Sequence, residues 1–382
     1  MIVERPGVEK RLLESLEAGR IPVLLGGCAM GRTSLLLRMQ QTVGAQQAQY
    51  LDFGAVATTP ERCFASVVSS SHVRPAGEKP AVPASTARSA FDGMMAFFDR
   101  AAGPDGAPAT FLLDEILDIR TFENFPGLRH VLRDLISRLS ASPAGFVLAS
   151  RFTSRVHRLL RDAPSRFEVV HVPPMSTPEV QAFALRFDGG RSDGPAAQAE
   201  LVAALTGGRA GYAHLLLEGL AAMAPGAPAT DPIAALAALF APEGRLTARC
   251  RESYEFRLHR ARGYGALKAI LGILADDEPQ NLTEIAHHLQ RTPGSTKDYL
   301  SWLEDVDVIS MHGKRYSYND PLVRLYVRLH AKAVPPTDAD IVREVRAYAQ
   351  ERLPQAVPAA TVMATADRSA DGERASGIIE ID

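Results

Sequence analysis

Cysteine is scarce. The 382 residues hold three, Cys28, Cys63 and Cys250, far apart and without a Cys-x-x-Cys pair. This excludes a disulfide framework and fits a reducing compartment. Long hydrophobic runs are missing too: none approaches the roughly 20 residues of a membrane span, and the N-terminus lacks the apolar core of a signal peptide. The expectation is a soluble, cytoplasmic chain with no membrane partner. Nor does one sign of charge dominate. Forty-two Lys and Arg stand against 44 Asp and Glu, a formal net charge of −2. Whole-chain attraction to nucleic acid or to an acidic partner is excluded, so any basic surface must be local. With 46% hydrophobic and 23% charged residues, the composition is that of an ordinary soluble protein long enough for two or three domains.

Against this plain background one segment stands out. Gly26-Gly27-Cys28-Ala29-Met30-Gly31-Arg32-Thr33 fits Gly-x-x-x-x-Gly-Lys-Ser/Thr at every fixed position except that Arg32 replaces the lysine. An apolar run, Ile21-Pro22-Val23-Leu24-Leu25, reads as a strand before it, and Ser34-Leu35-Leu36-Leu37 opens a helix after it. Such a loop turns backbone N–H groups toward a phosphate, and the helix N-terminus favours the anion. Residues 26–34 are therefore the candidate nucleotide cradle. Cys28 within it reads as a small side chain at a variable position, with a redox gate as the alternative.

A second signal lies about 80 residues on. Phe111-Leu112-Leu113-Asp114-Glu115 is an apolar strand ending in two carboxylates. Asp114 at the strand tip, with the Thr33 hydroxyl, suits a magnesium shell, and Glu115 suits polarisation of an attacking water. Alone, such a pair is often a helix cap.

Short apolar runs alternate with helical stretches in the first half, which predicts an α/β fold with a parallel sheet. Expected strands are 21–26, 49–53, 110–114, 145–150 and 167–172, preceded by an amphipathic helix over 8–18. The segment 73–88 is expected to be a mobile loop. Helices near 177–187, 196–206 and 212–223 would form a lid. A Pro/Gly/Ala stretch, 224–232, leads to a helix running into an arginine-rich segment with Arg245, Arg249, Arg251, Arg257, Arg260 and Arg262. Helices over 266–275, 282–289 and 295–306, then strands over 308–311 and 315–318, outline a winged helix-turn-helix. Helices over 320–331 and 338–353 follow. The resulting domains are 1–174, 175–223, 224–263, 264–353 and a disordered tail, 354–382. The closing Ile378-Ile379-Glu380-Ile381-Asp382 is a frayed end or a docking peptide for a protein partner.

Together these pieces resemble the STAND-type and archaeal-ATPase branch of the AAA+ superfamily. The likeness rests on Glu4-Arg5-Pro6, the phosphate loop, residues 112–115, Ala149-Ser150-Arg151, the turn Thr206-Gly207-Gly208-Arg209-Ala210 and the final run Tyr316-Ser317-Tyr318-Asn319-Asp320-Pro321-Leu322-Val323-Arg324-Leu325-Tyr326. It implies ATP and Mg2+ as ligands, a P-loop three-layer sandwich with a helical lid, and use as a conformational switch. It also implies that Ser150 or Arg151 senses the γ-phosphate and that Arg209 contacts the nucleotide. The plainer alternatives are a strand-end cap and ordinary turn chemistry. Two positions depart from the pattern: the usual Gly-His-Pro of the lid is Gly208-Arg209-Ala210, and Arg32 replaces lysine.

Arginine keeps the charge of lysine, but its planar fork does not fit where a compact ammonium does. It must displace a phosphate or bend aside. Binding with slow or partner-dependent hydrolysis is the expectation, with Glu115, Arg32 and Ser150 as catalytic candidates; a dead ATPase is the alternative. No arginine finger is distinguished among Arg151, Arg155 and Arg161. For DNA, the expected recognition helix offers Lys297 but also Asp298, Glu304 and Asp305, and the hairpin offers Lys314 and Arg315. Trp302 and Leu303 read as core. The arginine-rich helix could follow a DNA backbone or form ion pairs with the sheet domain. The sequence thus predicts an ATP/ADP-binding switch that acts on a protein partner; it leaves open whether the chain forms an oligomer on ATP binding. The alternatives are a DNA-binding regulator or loader with a vestigial core, and a nonenzymatic scaffold.

Overall fold

The computed structural model describes residues 4–75, 86–187, 195–222, 231–332 and 334–353. Five short apolar segments pair side by side in it: β1 Ile21–Leu25, β2 Ala48–Asp52, β3 Thr110–Asp114, β4 Gly145–Ser150 and β5 Phe167–His171. All pairings are parallel, in the order β2-β3-β4-β1-β5. Strands of a parallel sheet covered on both faces need apolar residues at every position, and β1 is buried throughout. Because the strands run one way, the ends of β1, β3 and β4 open onto one edge, where ligands of such sheets bind.

Alternation along the strands divides the core. Leu24, Leu112, Val147 and Ala149 face one side with Leu12, Leu35, Leu36 and Met39 of helices α1 Pro6–Glu17 and α2 Arg32–Val43. Phe111, Leu113, Phe146 and Leu148 face the other, joined by Phe98. Helices α3 Pro60–Ser70, α4 Ala87–Arg100, α5 Val131–Ala141 and α6 Thr153–Leu160 complete the core layers. The Phe98 and Phe111 rings lie 4.5 Å apart, a packing worth about 0.5–1.5 kcal/mol beyond area burial.

Helices α7 Thr177–Ala184, α8 Ala199–Thr206 and α9 Ala210–Ala222 follow as a layer over the loop after β1. Arg5, 2% exposed, fastens this layer to the chain start, with Nε 3.0 Å from Glu179 and Nη2 donating to Pro173 O at 2.8 Å. Where one helix was expected to run into the arginine segment there are two: α10 Pro232–Leu239 and α11 Arg245–His259. The break falls at Gly244, where a Cβ would lie 2.1 Å from Leu239 O.

Three more helices, α12 Tyr264–Asp276, α13 Leu282–His288 and α14 Pro293–Asp305, pack with an antiparallel sheet of β6 Gln280–Asn281, which lies between α12 and α13, then β8 Arg315–Tyr318 and β7 Ile309–His312, in that spatial order. Asn281 and Glu284 form a capping box on α13, and Thr292 with Pro293 starts α14. Helices α15 Pro321–His330 and α16 Asp338–Arg352 return to the lid, where Tyr348 donates to Leu205 O at 2.7 Å. Buried Leu303 is core as expected. Of the expected loop over 73–88, Arg74–Pro75 pairs with Ala101–Ala102 and α4 already begins at Ala87. The rest of that loop, most of the 224–232 linker and the tail with its docking peptide lie outside the described residues.

Candidate nucleotide site

The loop between β1 and α2 turns through two left-handed residues, Ala29 (φ 62°) and Gly31 (φ 89°). Among the described residues, the amides of Cys28, Ala29 and Gly31 donate to no protein acceptor. Undonated amides at a helix N-terminus are what an anion-binding loop requires. The lid lies directly on the loop: Gly211 N donates to Ala29 O at 2.8 Å, and a Cβ on Gly27 would meet Arg209 Nη1 at 3.0 Å.

Arg32 is buried and turns back across its own loop. Its Nη1 donates to Gly26 O and, at 2.8 Å, to Gly27 O, while Nη2 donates to Glu115 Oε1 at 2.7 Å. The fork therefore uses its width to reach two carbonyls of its own loop and the carboxylate after β3 together. Glu115 adopts φ 49° and also receives Arg151, through Nε at 2.8 Å to Oε1 and the amide at 3.3 Å to Oε2. Burial alone would raise the Glu115 pKa, but Arg32 and Arg151 hold it below the usual carboxylate range.

Thr33 and Asp114 come together as the motif spacing suggests, with Thr33 Oγ1 donating to Asp114 Oδ2 at 2.6 Å. Tyr50 donates to the same oxygen at 3.2 Å, and burial, then Asp114, keeps its phenol protonated. A hydroxyl and a carboxylate on adjacent element ends are hard oxygen donors that fit magnesium. Ser150 is fully buried and accepts from Phe152 N at 3.1 Å. It does not line the cavity; Arg151 does. Arg209 bridges elements, donating to Cys28 O at 2.8 Å and to Asn319 O at 2.6 Å, 3.4 Å from Asp320 Oδ2. Asp320 in turn caps α15 and accepts from Tyr212 OH at 2.9 Å. Gly208 fits this turn because it holds φ 64°, and a Cβ there would lie 2.5 Å from Met175 O.

The site's outer wall is α11. A cavity of ≈140 Å³ lies between Thr33, Asp114, Glu115 and Arg151 on one side and Arg249 and Arg257 on the other. A second, of ≈170 Å³, lies between Arg249 and the loop from Gly27 to Ser34. Arg249, Ser253, Phe256, Arg257 and Arg260 recur at the spacing of one helix face. The Phe256 ring lies under two guanidinium groups, Arg151 at 4.5 Å and Arg260 at 4.4 Å. Arg260, just past the end of α11, pairs with Asp118 and turns toward the core, while Arg245 pairs with Glu218 at the surface.

The C-terminal module docks beside the same strand end. Asp305 on α14 accepts from Arg155 Nε at 2.7 Å and from Arg158 of α6, and Asp307 accepts from Ser154 Oγ at 2.7 Å. Larger grooves on this module, at His287 and Arg291 and at Arg315 and Arg324, are open to solvent and away from this chemistry.

No helix among the described residues is long and apolar enough to cross a membrane. No family profile matches the chain, and no curated protein matches it. Among solved structures, the Walker-type ATPase PABY2304 of Pyrococcus abyssi is similar over 86% of this chain and 96% of that one, at 18% identity and TM-score 0.66. The STAND protein PH0952 from Pyrococcus horikoshii, with a tetratricopeptide repeat sensor, covers 92% of this chain and 46% of that one at 16% identity and TM-score 0.37. RuvB of Thermotoga maritima covers 87% and 96% at 14% identity and TM-score 0.43. At those two scores the likeness adds nothing to the first. The chain shares the fold of that Walker-type ATPase.

Proposed function

We propose that this protein is an ATP-binding switch in which nucleotide state governs a C-terminal winged helix formed by α12–α14 and the β7–β8 hairpin. Thr33 and Asp114 would hold magnesium, and residues 26–34 the phosphates. Bound there, the metal would neutralise phosphate charge. Glu115 would orient water, but in this conformation Arg32 and Arg151 occupy both its oxygens. Hydrolysis is therefore slow, and faster when a partner draws those arginines away.

The observation that carries the switch is Arg209. One guanidinium spans the phosphate loop at Cys28 O and the start of α15 at Asn319 O. A ligand that displaces it from the loop loosens the module, which is how differential binding shifts a two-state element. The DNA-binding alternative has weaker support. Arg245 of α11 and Arg260 just after it are paired within the protein, and Arg315 of the hairpin donates to Pro279 O at 2.8 Å.

Calorimetry of ATP and ADP, with and without magnesium, tests this reading. Asp114→Ala should weaken ATP by about 10-fold or more in magnesium and have little effect in its absence. Equal affinity in wild type and variant, with magnesium present, would sink it.

A further inference from the structure

Arg257 is a buried cation with no carboxylate in salt-bridge contact among the described residues. It is 4% exposed, Nη1 donates to Ser253 Oγ at 2.6 Å, and Nε has no partner. It forms no ion pair among the described residues, whereas Arg32, Arg151 and Arg260 around it each hold a carboxylate. Asp307 is the nearby carboxylate that feels its charge, but it accepts from the amide and hydroxyl of Ser154 and not from Arg257. A guanidinium does not shed its proton to escape burial. Leaving it without a contacting anion is unfavourable, and an anion in the cavity would complete it.

The place of this charge narrows the anion. Arg257 lines the cavity whose opposite wall is Thr33, Asp114 and the phosphate loop, and Arg249, one helical turn pair away on the same face, lines both cavities. Arg249 is tied to Glu252 at 2.9 Å, which leaves Arg257 as the uncommitted group. A phosphate extending beyond the loop and metal donors would meet α11 from this side.

We propose that Arg257 is a terminal-phosphate contact supplied in cis by α11, so that a nucleoside triphosphate, and not a diphosphate, ties this helix to the core. The inference rests on the nucleotide reading above and adds the residue that distinguishes the two nucleotides. Since α11 leads directly into α12, the contact reports the third phosphate to the C-terminal module.

The test uses the full chain with magnesium and measures binding of ADP and of a non-hydrolysable ATP analogue to wild type, Arg257→Met and Arg257→Lys, alongside nucleotide-free melting. Arg257→Met is expected to lose at least about 10-fold in analogue affinity and less than about threefold for ADP. Its nucleotide-free melting temperature should be equal or higher, because an unpaired buried charge has been removed. Arg257→Lys should fall between wild type and Met for the analogue. An equal loss for both nucleotides, or none, overturns the inference while leaving nucleotide binding intact. Loss of folding in Arg257→Met, with Arg257→Lys discriminating as wild type does, makes the residue a structural counter-charge and also overturns it. If wild type binds neither ligand, the nucleotide reading fails and this one with it.

Discussion

Arg32 Nη2 and Glu115 Oε1 stand 2.7 Å apart, with the two side chains 8% and 7% exposed. The residue that departs from the phosphate-loop pattern thus holds the residue proposed to orient water. A buried pair of this kind is weak evidence of stability, but breaking one side of it is costly. Here it also joins two parts of one site, and a substitution on either side separates the structural from the chemical role.

Arg32→Lys should release that carboxylate. An ammonium on a flexible stem lacks the fork that reaches Gly27 O and Glu115 at once. With Glu115 held by Arg151 alone, magnesium-ATP turnover should rise by about 10- to 100-fold, the scale of placement errors near 1 Å. Phosphate release under saturating ATP measures it. An unchanged rate would show that Arg32 is no brake.

Glu115→Gln leaves two guanidinium groups facing a neutral amide, an expected cost of about 3–5 kcal/mol in urea unfolding. The pH dependence follows from the sign of the shift. Burial raises the Glu115 pKa, the two arginines more than reverse this, and the folded value lies below the ordinary 4.5. Its stabilisation is therefore full above 4.5 and is lost as pH falls through the folded value. Asp118 runs the other way, its pKa raised by burial despite Arg260. The diagnostic quantity is thus the difference between wild type and Glu115→Gln, which should shrink on acidification; a constant gap would mean the carboxylate's charge is immaterial.

Asp305→Ala removes the acceptor for both Arg155 and Arg158. Loss of hydrogen bonds to charged groups should cost about 1–3 kcal/mol of docking between α14 and α6. Trp302, the single tryptophan, lies on α14 and packs edge-on to Tyr299 at 5.4 Å. Its emission should move to the red, and proteolysis between the core and α14 should quicken. Identical spectra and digestion patterns would show that this carboxylate does not hold the module.

Much of the fold is legible in the chain because short-range chemistry specifies it. The boundaries of β3 and β4 match the apolar runs residue for residue. Asn281, Thr292 and Asp320 mark helix starts by capping them. The break before α11 was harder to read, since Gly244 is required by a backbone approach to Leu239 that no local pattern records. Likewise Gly26–Thr33, Asp114 and Glu115 were found by motif spacing. The inward turn of α11, by contrast, depends on which surface that helix meets.

The sequence alone determined a parallel sheet with a phosphate loop at one strand end and paired carboxylates at another, because strand period, glycine freedom and cap chemistry act over a few residues. Only the tertiary structure decided what the arginines do. Guanidinium groups are satisfied by partners over a hundred residues away, as Arg209 by Asn319 O and Arg260 by Asp118, and charge at such range follows packing, not local order. That is why the chain announces a nucleotide site, while its folding assigns Arg32 to Glu115 and leaves Arg257 facing the cavity.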